Sequence, residues 1–288
     1  MALLRFLLYS EVSVLACALA LGWTGLQISG QPVDLNLLAL IGSATFLFYT
    51  LERNLTLPVP SRSIFPEKSR WLQRNRQTNA LLLLVSMSVT LTLMPHLSGP
   101  GLVSLGVFGF LALCYSIIKF PRKGLAPQGL KRSYLLKPLL MVLVWTYMTL
   151  VLPLVETGLP QQPERAWWLL LVWVLWIFSN SILFDIRDLQ VDKQSGVRTL
   201  AALLGRPRAH GLIYLLGLTQ LLVCAGFAWR FQEPLAAAAM TLSTLAFMAC
   251  NAFLHQRGPS GLKFYILADL TLILPALALG GTHWILTR

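Results

Sequence analysis

The sequence predicts an all-α, polytopic membrane bundle of about nine transmembrane helices, folded as a single domain over residues 1–288. Three observations predict it. Of the 288 residues, 56% are apolar and 12% charged, about half the charged share of an ordinary soluble domain, and the mean hydropathy is +0.67. Apolar stretches recur at the roughly 20 residues that a helix needs to cross a bilayer core. The basic residues also fall into alternate joins between those stretches, as they do in multi-span proteins. Disorder is excluded, because it requires low hydrophobicity. So is a disulfide scaffold: the four cysteines (Cys17, Cys114, Cys224, Cys250) each lie inside an apolar run without metal-type spacing.

In chain order the predicted spans are Leu4–Ile28, Leu37–Leu57, Asn79–His96, Leu102–Phe120, Tyr134–Val155, Ala166–Phe184, Ala209–Arg230, Pro234–His255 and Leu262–Leu286. The first is too long for a cleaved signal core and is interrupted by Glu11. Glu11 reads as a structural or interface-seeking carboxylate. Gly and Pro clusters, such as Ser98–Gly101 and Arg257–Gly261, punctuate the joins. Between spans two and three, Phe65–Arg76 has the pattern of a short amphipathic helix with Pro66 near its start. It is expected on the anionic leaflet, with a lid over a chamber as the other reading.

The net charge is +12, from 23 basic and 11 acidic residues. All the basic residues except Arg165, Arg230 and Arg288 fall on one side of the predicted membrane. The positive-inside rule then puts the N-terminus and that side in the cytoplasm, and the C-terminus on the opposite side. Topology and contact with anionic lipids explain such loops; so does an anionic head group held at the mouth of the bundle. Nucleic acid is not an expected partner, because no nucleic-acid fold is recognisable.

Beyond span six, Asp185, Asp188 and Asp192 stand at i, i+3 and i+7, which on a helix aims three carboxylates to one side. Stacked like charges call for a cation, and hard oxygen ligands suit Mg²⁺. The plainer alternative is a solvated helix end with Arg187 and Lys193 as partners. Gly196 reads as the helix stop. Asn180, in span six, and Asp269, two turns into span nine, are candidate chamber residues. Each is equally readable as a hydrogen bond between helices.

The stretch Asp185–Leu200 resembles the second Asp-rich motif of the UbiA superfamily of intramembrane prenyltransferases, D-x-x-D-x-x-x-D-x-x-x-G followed by Thr-Leu. Asp185, Asp188, Asp192, Gly196, Thr199 and Leu200 match it. Tyr115-Ser116 followed by Lys119 is similar to a second family feature at the end of span four. The resemblance implies a nine-helix fold with a chamber facing the cytoplasm. It implies transfer of a polyprenyl group from a polyprenyl diphosphate to a lipophilic, often aromatic, acceptor. It also makes Asp185, Asp188 and Asp192 the catalytic and Mg²⁺-binding residues. The family's first Asp-rich motif has no counterpart: the matching stretch contains Tyr49, Glu52, Arg53 and Asn54, and no aspartate lies between Asp34 and Asp185. Glu52 and Asn54 remain as candidate chamber ligands. Arg53, Arg62, Lys119 and Arg122, with Tyr115, are candidates for binding the diphosphate directly, since guanidinium groups grip phosphate without a metal. The alternative is a divergent, non-catalytic relative that binds isoprenoid lipids or serves as a scaffold. A transporter fits less well, because the charges gather at one mouth and not at the midplane.

Overall fold

In this computed structural model the residues described are 2–56, 66–117, 119–122, 125–129, 136–160, 162–194, 199–258 and 261–286. The helices are α1 (Ala2–Tyr9), α2 (Val12–Ser29), α3 (Leu35–Thr56), α4 (Pro66–Arg74), α5 (Arg76–Leu93), α6 (Gly99–Ile117), α7 (Leu136–Thr146), α8 (Leu152–Thr157), α9 (Pro163–Gln194), α10 (Leu200–Leu204), α11 (Arg206–Phe231), α12 (Pro234–Arg257) and α13 (Gly261–Leu286). Among the described residues, seven segments are long and apolar enough to cross a membrane: Val12–Ser29, Arg76–His96, Pro138–Thr157, Pro163–Gln190, Arg206–Phe231, Pro234–Arg257 and Lys263–Gly281. Two shorter apolar stretches, Leu35–Leu51 and Gly99–Cys114, stand where the second and fourth spans were predicted. Large apolar side chains face outward around the bundle, Leu222, Trp229 and Val103 among them. Together with the spans, this makes the chain a multi-pass membrane protein, with lipid as the solvent for its exterior.

Three elements depart from the sequence reading, and a fourth, the extension of span six toward Gly196, follows it. The first predicted span is two helices. Glu11 sits between α1 and α2 with φ 68°, in the left-handed region, and turns the chain. The fifth span is continuous but changes pitch: a π-helical segment, Tyr147–Val151, joins α7 to α8. The sixth runs ten residues past Phe184, because no Gly or Pro interrupts α9 before Gly196. At 1.5 Å per residue its 32 residues reach about 48 Å, well beyond a hydrocarbon core of about 30 Å. The excess carries the three aspartates out of the oil. Finally, the join after α6 holds a small antiparallel hairpin, β1 (Lys119–Arg122) with β2 (Leu125–Gly129), in register Lys119↔Gly129 and Arg122↔Leu125. The all-α bundle therefore carries one two-stranded addition, and the fourth span stops short of Phe120.

Thr199 explains part of the sequence motif in local terms. Its hydroxyl accepts a hydrogen bond from the Ala202 amide at 3.2 Å and caps α10. Gly196 lies outside the described residues.

The spans pack as neighbours in the order α3, α2, α13, α12, α11, α9 and α7, and α2 also meets the π-helical segment. A large apolar cluster around Leu26, Leu152, Leu169, Trp173 and Phe227 fills one end of this ring. A smaller cluster around Ile182, Leu183, Ile213 and Phe264 fills the other. Along α9 the two meet at the buried polar run Ser179, Asn180 and Ser181. At the far end, ion pairs tie α9 to its neighbours: Arg165 to Glu233 at 3.2 Å, and Arg230 to Glu164 at 2.6 Å.

Close helix approach in lipid favours small residues. A Cβ at Gly25 would lie 3.0 Å from the Thr149 carbonyl oxygen, whereas one at Gly106 would meet nothing within 4 Å. Gly25→Val is expected to cost about 1–3 kcal/mol by overpacking and to lower the unfolding temperature in detergent. Gly106→Val is expected to leave it unchanged, and equal melting of the two variants would contradict this packing.

Candidate functional site

A cavity of about 250 Å³ opens between α2, α3, α7, α9 and α13, with α4 across it. Its body is apolar, formed by Val14, Met141, Trp145, Ile177, Phe184 and Leu272. Its polar part is Glu11, Lys68, Asn180, Arg187, Tyr265 and Asp269. An apolar pocket with a few convergent polar groups is the usual form of a small-molecule site.

Arg187 organises the polar part. Its Nε and Nη2 donate to the two Asp188 carboxylate oxygens at 2.5 and 2.8 Å. The guanidinium carbon lies 4.8, 5.4 and 5.0 Å from the ring centres of Phe184, Phe264 and Tyr265. A guanidinium gains from aromatic faces and from fork-to-fork pairing with a carboxylate, so both groups stand in fixed positions. A second pair closes the rim: Lys68 Nζ, from α4, donates to Glu11 at 2.7 Å and lies 5.1 Å from the Tyr265 ring centre. Asp269 is buried. Ser13 hydrogen-bonds its carboxylate, and Glu11, Lys68 and Arg187 are its charged neighbours. Asn180 donates to the Ala268 carbonyl at 3.3 Å and to Thr271 Oγ1 at 3.2 Å, so it both lines the cavity and bonds α9 to α13.

The three aspartates lie on one continuous helix, as their spacing predicted. They do not form a solvated helix end: Asp185 is fully buried, and the Arg187 and Asp188 side chains are 14% and 18% exposed. The cation expected among the stacked carboxylates is supplied in part by Arg187. Among the described residues no three acidic, His or Cys groups converge as a metal cage. The donor chemistry still fits Mg²⁺, which commonly takes one or two carboxylates and completes its shell with substrate phosphates and water. Asp188 keeps lone pairs for a metal, because a carboxylate offers about four acceptor sites and Arg187 uses two.

Glu52, Arg53 and Asn54 belong to the last turns of α3, Tyr115 to the end of α6, and Lys119 and Arg122 to β1. Their side chains, and Arg62 entirely, lie outside the described residues. Sequence reasoning missed Lys68 and Tyr265 as cavity residues and favoured a structural or interface-seeking role for Glu11, which lines the cavity. The break that Glu11 makes in an apolar run, and the amphipathic pattern around Lys68, were the available signals.

Neither a protein-family model nor a curated protein matches the sequence. Solved structures do match its fold over nearly the whole chain. The apo structure of a UbiA homologue from Aeropyrum pernix K1 superposes with a TM-score of 0.63 at 14% identity, covering 95% of this chain and 98% of that one. A UbiA homologue from Archaeoglobus fulgidus, bound to GPP and Mg²⁺, gives 0.63 at 12% identity, with 96% and 99% covered. A digeranylgeranylglyceryl phosphate synthase gives 0.53 at 16% identity, with 96% and 97% covered. The chain shares the fold of these UbiA homologues over nearly its whole length.

Arg187 and Asp188 should be interdependent. Arg187→Met leaves a largely buried carboxylate without its partner, and the expected loss is about 3 kcal/mol, read as a drop in unfolding temperature in detergent. Arg187→Met with Asp188→Leu is expected to recover much of it. A single variant as stable as the parent would show that the pair holds nothing together.

Proposed function

We propose that the protein is an intramembrane prenyltransferase, moving a polyprenyl group from a polyprenyl diphosphate to a lipophilic, aromatic acceptor. The observation that carries this reading is the cavity itself: an apolar body ending in a rim that holds Arg187, Lys68, Glu11 and Asp269, with Arg187 paired to Asp188 just outside the lining. An isoprenoid tail fits the body and a diphosphate fits the rim. The positive-inside distribution supports a cytoplasmic position for that rim and the N-terminus.

The chain's own residues divide the work. Arg187 and Lys68 supply positive charge to the diphosphate; Arg53, Arg62, Tyr115, Lys119 and Arg122 are the further diphosphate-binding candidates that the sequence offers. Asp185, Asp188 and Asp192 would hold Mg²⁺, with Glu52 and Asn54 as the further oxygen ligands their sequence positions suggest. Mg²⁺, when bound, neutralises the diphosphate and eases its departure. The carbon–oxygen bond to the diphosphate breaks with its electron pair on oxygen. A ring carbon of the acceptor then bonds to the allylic cation, and the ring proton passes to the departing diphosphate. The apolar walls and α4 keep water from the cation, and fixed charges at the rim stabilise the leaving group without reorganising.

A second reading, an isoprenoid-binding protein without turnover, is favoured by one feature: Glu52, Arg53 and Asn54 stand where the family pattern has aspartates. One assay separates the two. With an aromatic acceptor and Mg²⁺, the purified chain is expected to release diphosphate from a polyprenyl diphosphate. Asp188→Asn and Asp192→Asn are each expected to slow that release by about 100-fold or more. Binding of the diphosphate without release by the parent protein would select the second reading.

A further inference from the structure

The prenyl-diphosphate reading can be taken one step further, to how long a chain the chamber accepts. Beyond the chamber lies a second cavity of about 90 Å³, between α3, α6 and α7. Tyr49 and Trp145 line both. Trp145 Nε1 donates to the Tyr49 hydroxyl at 2.6 Å, and the two rings meet edge to face with centres 6.0 Å apart. They form a partition between two spaces that their side chains alone touch in common.

The second space is walled by Phe48, Leu105, Phe108, Val144 and Met148, and among the described residues no charged one borders it. It suits hydrocarbon and nothing ionic. Small residues make it: Ala44, Gly109 and Ala112 line it, and a Cβ added at Gly109 would meet nothing within 4 Å. The Trp145–Tyr49 hydrogen bond keeps the partition shut, because parting the rings would leave an indole N–H facing apolar surroundings.

We propose that the Tyr49–Trp145 pair is the chain-length determinant, stopping the prenyl tail at the chamber wall, with the second cavity as the place a longer tail would enter. The inference rests on the prenyl-diphosphate reading, and the experiment separates failure of one from failure of the other. Affinities of geranyl, farnesyl and geranylgeranyl diphosphate are measured on the purified full chain, on Trp145→Leu, on Tyr49→Phe, and on Trp145→Leu with Gly109→Leu. Trp145→Leu is expected to raise the geranylgeranyl-to-geranyl affinity ratio by about tenfold or more, as newly buried methylene groups come into contact. Tyr49→Phe, which removes one hydroxyl and leaves the fold in place, is expected to move the ratio in the same direction by less. Gly109→Leu is expected to refill the space and restore the parental ratio. Unchanged ratios in both single variants, with geranyl diphosphate still bound, would overturn the chain-length assignment alone. If Trp145→Leu does not fold, the ratio in Tyr49→Phe decides. A parent protein that binds none of the three would overturn the prenyl-diphosphate reading, and this inference with it.

Discussion

A guanidinium enclosed by three aromatic rings and locked onto a neighbouring carboxylate sets the geometry of the chamber's polar end. Taking Arg187 out of water is costly, and the cost is offset only because both Asp188 oxygens are paired with it and the ring faces of Phe184, Phe264 and Tyr265 surround it. Two of those rings come from α13 and one from α9, so a single side chain fastens the helix that carries the three aspartates to the one that carries Asp269. Asp188 is oriented by this contact, and Asp269 and the Lys68–Glu11 pair are arranged around the same centre. The polar groups thus form one connected set at the end of an apolar space, where each strengthens the others in the low local dielectric.

The basic surplus of the chain takes on a local meaning here. Most of it lies in alternate joins between the spans, the distribution expected of a multi-span protein. Arg187 and Lys68 are different: both are mostly buried and both are already paired with carboxylates. A phosphate arriving at this rim meets charges held by partners, so the groups it touches are positioned before it binds. Such preorganisation is what makes electrostatic stabilisation effective in a dry site.

Much of the fold was readable in the sequence because the bilayer leaves few options: apolar stretches of a set length must be helices, and their backbone must satisfy itself. The three-aspartate face was equally readable, since i, i+3, i+7 spacing has one geometric meaning on a helix. What escaped were features decided by tertiary contact. The break at Glu11 follows from a left-handed residue stabilised by Lys68, a partner 57 positions away. The length of α9, by contrast, followed from local rules: a hydropathy window stops at the first cluster of charges, but helix propagation continues through Asp and Arg until a breaker such as Gly196. Tyr265 and Tyr49 carried no signal at all: a tyrosine in an apolar run is a belt residue until its neighbours are known.

Glu11 adopts a backbone conformation that costs an L-residue about 1–2 kcal/mol, and it does so at the joint between α1 and the spanning bundle. On the far side of that joint, Phe6 and Tyr9 hold Trp71 of α4 edge-on between them. The roof of the chamber is therefore two short helices stapled to each other by aromatic rings and to the walls by Glu11 and Lys68. Glu11 and Lys68 also line the cavity, so the ion pair that fastens this roof is at the same time part of the chamber's own charge balance.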